Sequence, residues 1–354
     1  MNPKITVIIP LITISDFLVK EALPALDEQS YKNMEVIVLP NKKERINNPL
    51  LKKYSFLKII PTPHVSRPAL KRDIGAKHAK GEILAFIDDD AFPQKQWLEK
   101  AILSFKRRDV GAVCGPGILP KSAQFWEKVF DEVLKTAIGS GGFAYRFVKK
   151  NARYVDDFPS MNFLIKKNLF KKLGGFDSDY WPGEDSKLCE DLVYKLHEKI
   201  YYDPSVTIYH HRRNELQGYL KQHGNYGFHR GAFFAHGDRN SRRITYLIPT
   251  IFVIYTILIS LFLLNYTVML NLFQHLNEIP KQVRDDKYLL IIFIPVLLYK
   301  LLLLGIAFSA FKNTKSLKIA FSSAIVLFLT HLVYGVQFIR GFFTGKIKRE
   351  KIYN

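Results

Sequence analysis

The spacing of apolar residues changes its period twice along this chain. Up to about residue 210, short apolar runs alternate with stretches at helical spacing, which predicts strands over 5–10, 35–39 and 83–88 and helices near 16–28, 68–79 and 95–107. Such alternation predicts an α/β domain with an open, mostly parallel sheet covered by helices. The run from Ile5 to Ile14 carries almost no polar residue, as a strand buried on both faces of a parallel sheet requires. It follows Lys4 and so superficially matches a secretory leader. No small-x-small cleavage site follows, however, and Ser15-Asp16 reads as the N-cap of the next helix. The stretch 112–160 has no clear period, and the run from Gly139 to Gly142 within it predicts a loop.

After Arg243 the pattern stops being amphipathic. Segments 245–273, 288–311 and 317–343 each exceed the roughly 20 residues that cross a bilayer core as a helix. A soluble bundle would keep a polar face on each helix, and Ile251 to Leu264 shows none. The expected division is a globular domain over 1–240, a helical membrane region over 241–345 with about three apolar helices, and a basic tail over 346–354. Arg239, Arg242 and Arg243 before the first segment, and Lys312, Lys315 and Lys318 between the second and third, place both flanks in the cytosol. Three crossings would then put Lys346, Lys348, Arg349 and Lys351 outside, against the same rule. The last segment, which contains His331, Gln337 and Arg340, is therefore expected to lie in the interface. Lys300, inside the second segment, must snorkel or meet an anionic partner such as a lipid phosphate.

Composition narrows the partners. Lys and Arg total 52 against 32 for Asp and Glu, a formal net charge of +20, which suits nucleic acid, an anionic membrane surface or phosphorylated substrates. Many of the basic residues flank apolar segments instead of clustering with aromatics on a soluble face, which argues against nucleic acid and for anionic lipids. The two cysteines, Cys114 and Cys189, are far apart and match neither a disulfide framework nor a zinc site.

Two acidic segments carry the candidate chemistry. The apolar strand 83–88 ends in Asp88-Asp89-Asp90, where like charges repel unless a cation sits among them. Asp88 and Asp90 point to one side at the carboxyl end of a strand, where open α/β sheets bind ligands, and such a pair suits a divalent cation with a diphosphate. The alternative is a solvated acidic turn capping the next helix. Further on, a Gly-, Pro- and aromatic-rich loop delivers Glu184 and Asp185 to the start of a helical run. They read either as favourable partners of the helix dipole or as a general base that takes a proton from an attacking hydroxyl.

With these segments in view, the chain resembles the family 2 inverting glycosyltransferases over roughly residues 3 to 236. The resemblance runs through 5–10, 29–38, Lys71-Arg72-Asp73, the Phe86 to Asp90 block with Trp97-Leu98, 159–163, Lys172 to Asp177, Glu184 to Leu188, and Tyr202 to His211. It implies the A-type glycosyltransferase fold, a Rossmann-like sheet, and a sugar transferred from a nucleoside-diphosphate sugar with Mg²⁺ or Mn²⁺. By position, Asp185 is implied as the catalytic base with Glu184 assisting, and Asp88 and Asp90 as metal ligands, with His210 or His211 as a further ligand. Pro10, Asn41, Arg72, Asp73, Asp88 and Asp89 are implied at the donor, and Arg230 at its phosphates; a basic segment attracted to anionic lipid is the other reading of Arg230. Family members commonly carry an Asp pair after the second strand, where this chain has Leu39-Pro40-Asn41, so base recognition would fall to Asn41. Processive members carry a Gln-x-x-Arg-Trp motif, whereas the Gln222 to Gly231 run loosely echoes the related pattern of non-processive relatives, which favours addition of one sugar. The expectation is a multi-pass protein of the cell (inner or plasma) membrane, its catalytic domain cytosolic, acting on a lipid-linked, polyprenyl-type acceptor in cell-surface glycan synthesis. The rival from another class is a catalytically inactive membrane scaffold on the same fold.

Overall fold

The computed structural model describes residues 2–41, 49–176, 183–275 and 287–345. The expected basic tail, and the loop 177–182 ahead of Glu184, lie outside the described residues. The strands are β1 (Ile5–Leu11), β2 (Met34–Pro40), β3 (Leu57–Ile59), β4 (Ile83–Ile87), β5 (Ala91–Pro93), β6 (Val110–Cys114), β7 (Gly117–Ile118), β8 (Arg153–Val155), β9 (Asn162–Lys166), β10 (Lys199–Tyr202) and β11 (Ile208–His210). The helices are α1 (Leu23–Asp27), α2 (Pro49–Lys52), α3 (Pro68–His78), α4 (Trp97–Phe105), α5 (Phe125–Leu134), α6 (Lys167–Lys172), α7 (Glu184–Tyr194), α8 (Leu216–His236), α9 (Ile244–His275), α10 (Lys287–Thr314) and α11 (Leu317–Thr344).

The chain forms two compact units, and their boundaries differ from a single cut near residue 240. One contains Met1–Ala123 and Phe143–Arg212; the other contains Gln124–Gly142 and Arg213–Gly345, so α5 and α8 belong with the apolar helices. In the first unit the main sheet runs β3-β2-β1-β4-β9-β6-β10-β8, with β5-β11-β7 as a small second sheet. Strands β3, β2, β1 and β4 are mutually parallel, as the βαβ spacing predicts, whereas β9 enters antiparallel between β4 and β6. Every residue of β1 is buried, which explains its unbroken apolar run. The helix expected near 16–28 begins where Ser15 accepts a hydrogen bond from the Leu18 backbone (3.1 Å), opens as one π-helical turn over Leu18–Ala22, and continues as α1.

Buried polar groups in this unit are paired in ways that fix the sheet's carboxyl edge. Asn162, fully buried on β9, accepts from the Trp97 indole (2.9 Å) and donates to the carbonyls of Gly115 and Val206 (both 2.8 Å). One amide thus ties α4, the exit of β6 and the entry to β11, and its neutral bonds in a dry interior hold the frame in one register.

In the second unit the expected apolar segments appear as α9, α10 and α11, each long and apolar enough to cross a membrane. Ile251, Leu258, Leu298, Leu304 and Phe308 are more than half exposed, surface that only lipid or another apolar partner would cover. Lys300 is exposed on α10. His331, a polar residue expected to mark α11 as interfacial, is instead buried with its ring nitrogen 2.9 Å from the Tyr299 hydroxyl of α10. α8 runs alongside α11 so closely that a side chain at Gly227 or Gly231 would meet the carbonyl of Tyr334 or Phe338, and one at Gly341 would meet that of Phe228. Glycine at these crossings lets two backbones touch.

Candidate active site

The site is built at the carboxyl edge of the first unit's sheet, where strand ends and a helix start bring distant acids together. β4 ends at Ile87, so Asp88 to Asp90 form the turn into β5. β5 pairs antiparallel with β11 in a register that sets Ala91 opposite His210, and the His211 backbone donates to the Asp90 carbonyl (3.0 Å). This ladder carries His210 to the acidic turn: its Nε2 lies 3.1 Å from Asp90 Oδ1, and one ligand atom from each of Asp88, Asp90 and His210 falls within 4.8 Å of the others. Two carboxylates and an imidazole, all partly exposed, form a donor set suited to a divalent cation, Mn²⁺ tolerating the nitrogen better than Mg²⁺. Asp89 behaves as a member of a crowded acidic turn: burial, and then the charges of Asp90 and Asp88, push its carboxyl up to about 7.

Arg72 links this turn to the second acidic segment. It is buried on α3 and donates to Asp88 Oδ1 at 2.6 Å. The same guanidinium acts electrostatically on both Glu184 and Asp185, in the first turn of α7, and Asp185 in turn feels Asp88. The two segments predicted to converge therefore do so. Asp185 Oδ2 accepts from the Ser160 backbone (3.1 Å), while its buried Oδ1 has no hydrogen-bond partner. Burial raises the Asp185 carboxyl above its ordinary range, Arg72 opposing. Burial and the neighbouring Asp185 raise Glu184 likewise. Backbone hydrogen bonds at the start of α7 act on Glu184 in the opposite direction, as the helix terminus favours the carboxylate. α7 is braced at both ends: Ser186 donates to Asp157 (2.9 Å), which Arg146 holds at 3.5 Å, and Tyr194 donates to Asp156 (2.8 Å).

Other expected site residues fall differently. His211 does not join the Asp88–Asp90–His210 group; its Nε2 pairs with Glu21 at 3.0 Å and its ring packs on Phe17, centroids 4.5 Å apart, so it fastens β11 to the π-helical turn. Asn41 has its amide engaged within the chain, donating to the carbonyls of Thr62 (3.0 Å) and Val65 (2.6 Å) and accepting from Lys71. Contact with a nucleobase through that side chain would have to break those bonds. Asp73 accepts from the Phe176 backbone (2.8 Å) and secures the turn at Gly174 and Gly175, both at positive φ. Pro10 is buried near the end of β1, opposite Leu39. Arg230 belongs to the second unit, where its guanidinium stacks on Tyr246 (4.7 Å) and donates to Ser241 (3.2 Å).

Lys71 is the polar residue whose role the sequence hid. Its ammonium is buried beneath the ends of β1 and β2, donating to the carbonyls of Leu11 and Leu39 as well as to Asn41, and burial pulls it down to about 8. No local pattern announces this, because its partners lie 30 to 60 residues away.

Residues 6–174 match the family model described as glycosyl transferase family 2. The chain carries a family 2 glycosyltransferase domain. Among curated relatives, this domain's chain is 25% identical over 171 residues to the pre-mycofactocin glycosyltransferase of Mycobacterium tuberculosis, covering 48% of this chain but only 36% of that one. It is 23% identical over 307 residues, covering 83% of this chain and 92% of the other, to the dolichyl N-acetyl-alpha-D-glucosaminyl phosphate 3-beta-D-2,3-diacetamido-2,3-dideoxy-beta-D-glucuronosyltransferase of Methanococcus voltae. A mannosyltransferase of Pyrobaculum calidifontis, solved with GDP-Man and Mn²⁺, shares the fold at 18% identity and a TM-score of 0.50, covering 91% of this chain and 86% of that one. The mostly parallel sheet is thus the A-type glycosyltransferase sheet, with the Asp88–Asp90 turn within the family 2 match and Asp185 and His210 beyond it.

Proposed function

We propose that this chain is a membrane-bound inverting glycosyltransferase that moves one sugar from a nucleoside-diphosphate sugar onto a hydroxyl of a lipid-linked sugar. The observation that carries the reading is Arg72, which bonds Asp88 and acts electrostatically on Glu184 and Asp185, and so supports reading the two acidic segments as one site. Asp88, Asp90 and His210 would hold Mg²⁺ or Mn²⁺, which when bound offsets the negative charge gathering on the departing diphosphate. Asp185 takes the proton of the attacking hydroxyl as the bond from that oxygen to the anomeric carbon forms. The bond from that carbon to the diphosphate breaks, its electron pair leaving with the nucleotide. Attack from the face opposite the leaving group inverts the centre. Arg72 opposes the burial that raises the Asp185 carboxyl, favouring the carboxylate form that serves as a base.

A general base also favours one acceptor class. A bare isoprenoid phosphate attacks through an oxygen that is already anionic, whereas a sugar hydroxyl must be deprotonated, so Asp185 points to a lipid-linked glycan. The Methanococcus relative, whose name specifies a dolichyl-phosphate-linked sugar, supports the same choice. The apolar helices α9, α10 and α11 support residence in the cell membrane, and the basic residues Arg239, Arg242 and Arg243 ahead of α9 support a cytosolic catalytic domain.

The test uses the purified full chain. A panel of nucleoside-diphosphate sugars with Mn²⁺ should contain one that raises its thermal midpoint. That donor should then be transferred to a polyprenyl-phosphate-linked sugar, with inverted product. If no donor stabilises the chain, or if the product retains the donor's configuration, the reading fails.

A further inference from the structure

The second unit holds a groove of about 920 Å³ between α8 and α11 that the catalytic proposal leaves unused. Leu220, Phe228 and Val333 are among the apolar residues lining it, and Lys221, His229, Gln337 and Arg340 bring polar heads to it. Lys221 and Arg340 are exposed, and the Arg340 guanidinium lies 5.6 Å from the centroid of the Phe228 ring. Neither α8 nor α11 contains an Asp or a Glu anywhere along its length, although the whole chain has 32. Lys221 and Arg340 therefore have no carboxylate on either helix beside them. The contacts at Gly227, Gly231 and Gly341 fix the two backbones against each other, so the groove is a preformed surface.

The surface beside the groove is apolar. α11 exposes Leu317, Phe321, Ile325, Val336 and Phe343 along one stripe, an apolar surface suited to lipid on the same helix that presents Arg340. We propose that this groove seats the phosphate and first isoprene units of the lipid-linked acceptor, with Lys221 and Arg340 as its phosphate ligands. The assignment rests on the acceptor reading above and extends it to named residues outside the acidic site. A groove lined by apolar side chains and carrying Lys221 and Arg340 suits a phosphate with an apolar chain, and its apolar floor and volume exceed what a lone inorganic anion needs.

Polyprenyl monophosphate is the probe, titrated onto the full chain in detergent and followed by native mass spectrometry. We expect it to half-saturate at a concentration at least tenfold below that of the matching polyprenol or of phosphatidylglycerol. Lys221→Gln and Arg340→Gln should each raise that concentration about tenfold, the size of one lost charge-assisted contact, while Lys221→Arg and Arg340→Lys should keep most of the affinity. Half-saturation by the nucleotide sugar should not move in any of them. Equal binding by phosphatidylglycerol, competition by millimolar inorganic phosphate, or an unaltered Lys221→Gln/Arg340→Gln double variant overturns the groove assignment. If that double variant also keeps its KM for a polyprenyl-phosphate-linked acceptor, the groove fails and the function stands. A wild-type chain that binds nucleotide sugar yet neither binds the monophosphate nor uses the linked acceptor overturns the acceptor reading itself.

Discussion

The two units handle charge in opposite ways. At the sheet edge of the first, the buried guanidinium of Arg72 bonds Asp88 and acts on Glu184 and Asp185, while Asp89 and Asp90 complete the acidic turn. In the second, α8 and α11 carry Lys221, Arg230, Lys318 and Arg340 without one carboxylate between them. A chain with net charge +20 has thus concentrated negative charge at the sheet edge of one unit and kept carboxylates out of two long helices of the other. Bulk charge says little about either site; its segregation says what each can bind.

The largest break in this contrast should come from Asp185→Asn. Loss of a positioned base costs about 10²–10⁴ in turnover, while the metal and donor subsite at Asp88 and Asp90 stays intact. Transfer assays should show kcat falling by that factor with the donor's half-saturation unchanged. A variant that keeps its turnover, or that loses donor binding while still turning over, removes Asp185 from the base role.

Arg72→Gln tests whether one cation really serves both acidic segments. It removes the 2.6 Å partner of Asp88 and the charge that opposes the raised Asp185 carboxyl. Apparent Mn²⁺ affinity should fall about 10–100-fold, as when a partner of a metal ligand is lost. The acidic limb of the pH–rate profile should move to higher pH, because Asp185 would hold its proton more firmly. An unshifted limb would separate Arg72 from the base.

Part of this arrangement was open to inspection in the sequence, for identifiable reasons. β1, β2 and β4 follow from local apolar runs, and three consecutive aspartates announce a cation because their repulsion has no local remedy. The start of α7 at Glu184 follows from its glycine-rich approach and helical spacing. What stayed hidden depends on partners far along the chain. The antiparallel entry of β9 between β4 and β6 leaves no trace in its own residues. His210 and His211 are adjacent and alike in sequence, yet the ladder to β5 turns one toward Asp90 and leaves the other to Glu21, 190 residues away. Asn41, expected to read a base, is held by Lys71 from α3. The grouping of α5 with the apolar helices was equally invisible, since 112–160 has no period to read.

In the second unit, Gly231→Val sharpens the contrast from the other side. The new side chain would meet the Phe338 carbonyl and the Phe342 amide nitrogen, where neither backbone has room to give. Overpacking of this kind costs about 1–3 kcal/mol. Stability should drop by that amount in denaturation of the detergent-solubilised chain, and polyprenyl monophosphate binding should weaken with it. Nucleotide-sugar binding should persist if the acidic site is independent of the α8–α11 pairing.

The smallest effect expected is also the one whose sign is least intuitive. Glu184 is buried beside Asp185, and both burial and that neighbour raise its carboxyl above the ordinary value of 4.5. A carboxylate whose proton affinity rises on folding binds more protons folded than unfolded. Its ionisation therefore erodes stability as pH climbs from about 4.5 through the raised folded value. Glu184→Gln removes that penalty while keeping the shape, so at neutral pH the variant should be more stable than the wild type, by a few degrees of thermal midpoint at most. Below about pH 4.5, where the wild-type residue is protonated in both states, the difference should vanish. Stabilisation at neutral pH coupled to slower transfer would mean that the acidic site is maintained at a cost to the fold. If the variant is instead less stable at neutral pH, the cationic influence of Arg72 outweighs burial, and the pair is held together as a structural ion cluster.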